Sequence, residues 1–255
     1  MKIGLGQFAP RFDDKNYNLK QIEKIVSSAS VDLWVFPEMS VTGYMVNNRK
    51  ELLDLSEEIS SSPSIEKLQE VARINKTVLL VGLPEKIGRE IFNTVVVVGP
   101  DGLITKNQKS HLFLKEKLYF SSGQIGPTMF NLGKTKIGLG ICYDYMFPEF
   151  WRALALDGAD LFCCPANFVF RYGFDLMRVR SIENGVASIC VNRVGEERGQ
   201  NFFGESQAVD CRGNIVYRAG GEEEFKVVEI DPALSRDKKW NPYNDLILDR
   251  RPEIY

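Results

Sequence analysis

Three short segments carry side chains that could do chemistry together. Leu33-Trp34-Val35-Phe36-Pro37-Glu38 ends an apolar run in a carboxylate, and Lys109-Ser110-His111-Leu112-Phe113 sets an ammonium shortly before Glu116. Gly138-Leu139-Gly140-Ile141-Cys142-Tyr143-Asp144 ends a second apolar run in a thiol. A thiol is mostly protonated near neutral pH, so it needs a base or a cation beside it to become a nucleophile. A carboxylate, an ammonium and a thiol at strand ends, where α/β sheets place their ligands, would make a hydrolase that needs no cofactor. Taken singly, each piece is ordinary. A Glu after a strand is usually solvated, a Lys in a polar loop is usually surface, and a Cys closing an apolar strand is usually inert core.

Other chemistries fail on residue types. No GxGxxG opens a helix after a strand, which removes a dinucleotide phosphate loop. Gly133-Lys134-Thr135 resembles the end of a P-loop, but Thr128 stands where that loop needs its first Gly. There is no GxSxG elbow. With His111 as the single histidine an HExxH site is impossible, and Cys142, Cys163, Cys164, Cys190 and Cys211 lack the spacing of a structural zinc site. No metal and no cofactor is expected.

The elements that must position these groups alternate short β-branched runs with helical stretches, which predicts an α/β chain. Strands are expected over Ile3 to Phe8, Leu33 to Phe36 and Val78 to Gly82, with helices over Asn16 to Ser28 and Ser64 to Ile74. Phe92 to Val98 and Leu103 to Lys106 flank the turn Gly99-Pro100-Asp101-Gly102 as a hairpin. Met129 to Leu132 and Ile137 to Cys142 follow as strands, then a helix over Pro148 to Leu156 and a strand over Leu161 to Cys164. Phe174 to Asn184 reads as a helix and Ala187 to Asn192 as a strand. Glu205 to Asp210, Ile215 to Arg218 and Phe225 to Ile230 read as antiparallel hairpin strands. Residues 1–231 form one expected domain. Residues 232–255 turn polar and irregular, an extension that wants a partner surface.

Composition narrows the class further. The 255 residues are 44% hydrophobic, enough for one large core, and 32 basic against 34 acidic residues leave a net charge of −2. No Lys/Arg-dense tract is present, so neither nucleic acid nor an anionic membrane is an expected partner. No segment has the ~18 consecutive apolar residues of a membrane span. The start of the chain does not look like a signal peptide, so the five thiols read as reduced and the location as cytoplasmic.

Taken together and in order, the three segments resemble the nitrilase superfamily of carbon–nitrogen hydrolases, with its Glu-Lys-Cys triad. The likeness runs along nearly the whole chain. It takes in Phe36-Pro37-Glu38 with Thr42-Gly43-Tyr44, then Lys109 to Phe113 with Glu116 and Phe120. It continues through Gly140 to Asp144 with Phe147-Pro148-Glu149, and Arg180-Ser181-Ile182-Glu183-Asn184. The resemblance implies a four-layer α-β-β-α sandwich. It implies Glu38 as general base, Cys142 as nucleophile, and Lys109 with the backbone N–H of Tyr143 as oxyanion donors. Glu116 matches a second glutamate that assists substrate positioning or proton transfer in amidase members. His111, which could be mistaken for a Cys–His base, is expected to be structural, and Arg180 with Glu183 to form a supporting ion pair.

For substrate, Cys142-Tyr143-Asp144 is similar to amidases and carbamoylases, whereas true nitrilases carry Cys-Trp-Glu. A small amide or N-carbamoyl compound is therefore expected, with an aliphatic nitrile and a Cys–His thiol hydrolase as alternatives. Tyr44, Phe113, Tyr143, Phe147, Asn167 and Phe168 are the expected pocket residues, and Arg171 a candidate for clamping a carboxylate. Members usually dimerise and reach across with a C-terminal extension, so a homodimer or higher homo-oligomer is expected.

Overall fold

The computed structural model describes residues 1–254; Tyr255, the last residue of the expected extension, lies outside the described residues. The chain opens with β1 (Lys2–Gln7) and α1 (Lys15–Val26), which starts where the Asp14 carboxylate accepts the Tyr17 N–H. β2 (Leu33–Val35), α2 (Arg49–Leu55) and α3 (Pro63–Asn75) follow. α3 carries Pro63 in its first turn under a Ser62 cap and ends at Lys76 in the left-handed region. β3 (Val78–Ile87), β4 (Glu90–Gly99) and β5 (Gly102–Gln108) complete this half.

The second half runs α4 (Glu116–Tyr119), β6 (Thr128–Leu132), β7 (Thr135–Leu139), α5 (Pro148–Leu156), β8 (Leu161–Pro165), α6 (Tyr172–Asn184) and β9 (Ala187–Val191). It ends in β10 (Val194–Glu197), β11 (Gln200–Phe203), β12 (Gln207–Val209), β13 (Ile215–Arg218) and β14 (Glu224–Glu229).

Two six-stranded sheets result, ordered β14-β1-β2-β3-β4-β5 and β13-β12-β9-β8-β7-β6. Within each, three central strands are parallel, β1-β2-β3 and β7-β8-β9. Side chains alternate faces along a strand, so each inner strand of the first sheet serves two cores. Leu33, Val35, Leu80, Val95 and Val97 pack toward Ile137, Leu139, Leu161, Ile189 and Val191 of the second sheet. Trp34, Phe36, Leu79, Val81, Val96 and Val98 pack instead with Ile22, Val26, Leu68 and Val71 of α1 and α3. Trp151 and Leu154 of α5 and Phe174 and Met177 of α6 cover the outer face of the second sheet. The layers are thus α-β-β-α, and burial on both faces explains why these strands read as unbroken apolar runs.

Four features differ from the sequence expectation. β12 and β13 do form a hairpin, but β14 crosses to the other sheet and pairs antiparallel with β1, Lys2 opposite Glu229. Alternation marks a strand without naming its partner. The strand expected to run to Cys142 stops at Leu139, and Cys142 turns out of it at φ 44°. The β10–β11 hairpin and α2 were not expected, because residues 194–203 are rich in Gly and charge and Arg49–Leu55 is short.

The chain beyond β14 begins on its own subunit. Ser235 Oγ accepts the Ala187 N–H, Arg236 pairs with Asp160 at 2.9 Å, and Lys238 Nζ donates to the carbonyls of Asn184 and Gly185. Past Lys238 the large side chains Trp240, Tyr243 and Leu248 are exposed. All five cysteines are free, and among the described residues no helix is long and apolar enough to cross a membrane.

Candidate active site

The proposed catalytic groups stand at the carboxyl ends of strands from both sheets. Glu38 follows β2, and its backbone lies over Gly82 of β3 so closely that an added Cβ there would meet Met39 N at 2.4 Å. Only glycine permits that approach. Lys109 follows β5, its N–H bonded to the Asn93 carbonyl of β4, and Glu116 opens α4. Cys142 follows β7 on the facing sheet, and Asn167 follows β8.

Lys109 Nζ lies 2.7 Å from Glu38 Oε1 and 2.7 Å from Glu116 Oε1, all three side chains being buried. Asn93 Nδ2 donates to Glu38 Oε1 at 2.7 Å and lies 3.5 Å from Glu116 Oε1, while Glu116 Oε2 accepts the Phe113 N–H at 2.7 Å. Sequence reasoning missed Asn93. Its only trace is one amide inside the apolar run Ile91-Phe92-Asn93-Thr94-Val95. Burial raises the Glu38 pKa, and the Lys109 charge opposes it. Burial also disfavours the Lys109 ammonium, but the Glu116 and Glu38 charges outweigh it and hold Lys109 protonated well above the ordinary lysine value.

The Cys142 thiol is pushed well up, first by burial and then by the Glu38 charge, against the pull of Lys109 and a hydrogen bond from the backbone N–H of Asn167. The Cys142 side chain is therefore a neutral thiol at rest, and a thiol in that state would need a base to act as a nucleophile. Its left-handed backbone is strained for a non-glycine residue and is held by Asp144. That fully buried carboxylate accepts the N–H of Ile141 and of His111, and its Oδ1 meets His111 Nδ1 at 2.7 Å. Arg180 donates to the carbonyls of Tyr145 and Met146 behind the turn and pairs with Glu183 at 3.0 Å.

Glu38 Oε2 and Asn167 Oδ1 are buried acceptors without a hydrogen-bond donor among the described residues, while Asn167 Nδ2 donates to the Glu38 carbonyl. Cys142, Tyr143, Tyr145, Asn167 and Phe168, with Phe113, Val169 and Phe170, line a narrow chamber of about 10 Å³. That is room for roughly one water. Tyr44 lines the neighbouring cavity with Phe113 and Glu116, and burial followed by the Glu116 charge pushes its hydroxyl pKa well up. Two expected pocket residues sit elsewhere. Phe147 stacks on His111 at 3.6 Å, and Arg171 is an exposed partner of Glu205 at 2.7 Å.

Comparison with known proteins gives the family and the fold. A family model described as carbon-nitrogen hydrolase matches residues 2–239. A protein of Pyrococcus abyssi named nitrilase is 39% identical over 100% of this chain and 99% of its own. An (R)-stereoselective amidase of a Pseudomonas species is 32% identical over 98% of this chain and 92% of its own. The crystal structure of an amidase from a Nesterenkonia species superposes with a TM-score of 0.87 at 27% identity, covering 100% of this chain and 94% of that one.

Proposed function

The chain belongs to the carbon–nitrogen hydrolase family, and from that premise we propose that it cleaves a small amide or N-carbamoyl compound through a Cys142 thioester, releasing ammonia. The observation that carries this is the buried Glu38–Lys109–Glu116 cluster, with Lys109 at 2.7 Å from each carboxylate, acting electrostatically on the Cys142 thiol.

The free Oε2 of Glu38 takes the thiol proton as Cys142 Sγ bonds to the carbonyl carbon. The carbonyl oxygen becomes an oxyanion received by Lys109 Nζ and the backbone N–H of Tyr143; one such donor is typically worth about 10²–10³ in rate. The C–N bond breaks as Glu38 returns the proton to nitrogen, and ammonia leaves a thioester. Glu38 then takes a proton from water, whose oxygen bonds to the acyl carbon. The C–S bond breaks, and the proton goes back to sulfur with release of the acid. Lys109 keeps its charge while Glu38 carries the proton, because it stays paired with the Glu116 carboxylate at 2.7 Å. Glu116 holds Lys109 from the other side and fixes the Phe113 N–H.

The Pyrococcus abyssi relative favours a second substrate, the nitrile, for which the same thiol would give a thioimidate before hydrolysis. Ammonia release from matched amides, carbamoyl amines and nitriles, by wild type and by Cys142→Ala, separates the two. The amidase reading expects release from amides or carbamoyl compounds by wild type alone. Release from nitriles only would replace it with the nitrilase, and release by Cys142→Ala would remove the thiol mechanism. We also propose self-association in a cytoplasmic setting, supported by exposed Leu156, Tyr172 and Val179 on α5 and α6; light scattering of the purified chain tests the oligomer.

A further inference from the structure

Next to the chamber at Cys142 lies a much larger cavity, of about 290 Å³. Phe113 and Val169 line both spaces and so stand between them. One wall of the larger space is Tyr44, Met45 and Val46; the other is Leu114, Tyr119 and Phe120. Its size reaches the lower end of small-molecule pockets.

This space is built rather than left over. The Glu197 carboxylate accepts the N–H of both Tyr44 and Met45, and is itself paired with Arg193 at 2.6 Å, both side chains being buried. That fixes the first wall from behind. Across the cavity, the Tyr119 hydroxyl donates to the Asn47 carbonyl, and Arg49 donates to the Tyr119 carbonyl, tying α4 to the same loop. The β10–β11 hairpin, through Glu197, thereby acts on the site without touching a reacting atom.

Charge in the cavity is already committed. Glu116 is the only carboxylate among the described lining residues, and its Oε1 is taken by Lys109 and its Oε2 by the Phe113 N–H. A distal ammonium on a substrate would find no free anion there. Lys115 lies at the exposed rim, where its charge is solvated, and the remaining surface is mostly aromatic or aliphatic.

A primary amide with its carbonyl carbon at Cys142 must send its leaving nitrogen and its carbon chain in different directions. Ammonia is about the size of the water that the chamber can hold. The carbon chain needs more, and the cavity past Phe113 and Val169 offers it. We infer that the 290 Å³ cavity is a preformed subsite for an uncharged apolar chain on the carbonyl side of a primary amide. The subsite rests on Cys142 being an amide nucleophile, and it narrows that function to one substrate class.

The test is kcat/KM for unbranched amides from acetamide to hexanamide, with 6-aminohexanamide as the charged control. Wild type and Val46→Phe, which fills the cavity, are compared through the ratio of hexanamide to acetamide within each enzyme. A fraction of misfolded protein cancels in that ratio. Burial of one methylene corresponds to about a fourfold gain, so the ratio is expected to climb by that factor per added carbon in wild type. It should fall about tenfold in Val46→Phe, and 6-aminohexanamide should be poor. Hydrolysis that is indifferent to chain length, a ratio unchanged in Val46→Phe, or a preference for the aminoamide would overturn the subsite and leave the amidase standing. No hydrolysis of any amide would overturn both.

Discussion

The two halves of the site are held in opposite ways. On the first sheet, the Glu38–Lys109–Glu116 floor is a set of charges locked by one another and by Asn93, with ordinary backbone at Lys109. On the second sheet, the Cys142 thiol carries no charge at rest, and its left-handed elbow is braced by hydrogen bonds from the Ile141 and His111 N–H groups to the Asp144 carboxylate. In the proposed mechanism the reacting carbon sits where the two sheets meet, so the apolar contact between the sheets would set the distance from Glu38 to Cys142. Charge gives the floor its order and its fragility, because each ion is tolerable in the interior only while its partner is present.

The largest effect should follow from breaking that dependence. Lys109→Met leaves two buried carboxylates facing each other, a change that typically costs about 3–5 kcal/mol. Urea unfolding should report that loss alongside loss of turnover. Cys142→Ala should abolish turnover equally but cost only about 1 kcal/mol, an ordinary core change. Equal unfolding midpoints for the two variants would mean that the floor is not held by its charges.

A smaller effect is expected at the elbow. Asp144→Asn retains one carbonyl acceptor but cannot serve Ile141 N–H, His111 N–H and the His111 ring together. Burying an imperfectly satisfied group costs about 1–3 kcal/mol. The rate of Cys142 alkylation by iodoacetamide should change together with kcat, while the unfolding midpoint shifts less than in Lys109→Met. An alkylation rate equal to wild type would show that Asp144 does not set the thiol's position.

How much of this was legible depended on whether a residue's partner lay in the same segment of chain. Glu38, Lys109, Glu116 and Cys142 each sit in a compact block whose neighbours carry the likeness, so they could be named from sequence. Asn93 has no such block. It touches Glu38 only because β4 and β2 flank β3, a consequence of sheet order that no local pattern encodes. Arg193 and Glu197 have the i,i+4 spacing of a helical ion pair, yet Arg193 precedes and Glu197 ends a short strand, β10, that grips the Tyr44 loop. Arg171 had the right charge for a carboxylate clamp, but Glu205, 34 residues on, occupies it. The α/β class was legible because central strands buried on both faces leave continuous apolar runs, whereas the four-layer architecture was implied by the family resemblance. The crossing of β14 to the first sheet was not, because Glu224–Glu229 would alternate alike beside either partner.

The smallest expected effect is the most diagnostic for the floor, because it moves a pH profile rather than a rate. Glu38 must be ionised to take the thiol proton, and burial raises its pKa above the ordinary glutamate value. The acid limb of kcat/KM should therefore lie above the usual carboxylate range, since a base with a raised pKa is lost to protonation at higher pH. The hydrogen bond from Asn93 works the other way, favouring the carboxylate and holding that pKa down. Asn93→Leu removes a donor of similar size from a charged acceptor. A bond of that kind contributes about 1.5 kcal/mol or more, so the acid limb should move up by about one pH unit. Lys109 gives no competing limb on the alkaline side below its own raised pKa. An acid limb that stays put in Asn93→Leu while kcat drops would mean that Asn93 positions Glu38 without tuning it. A downward move would mean that a different group carries the proton.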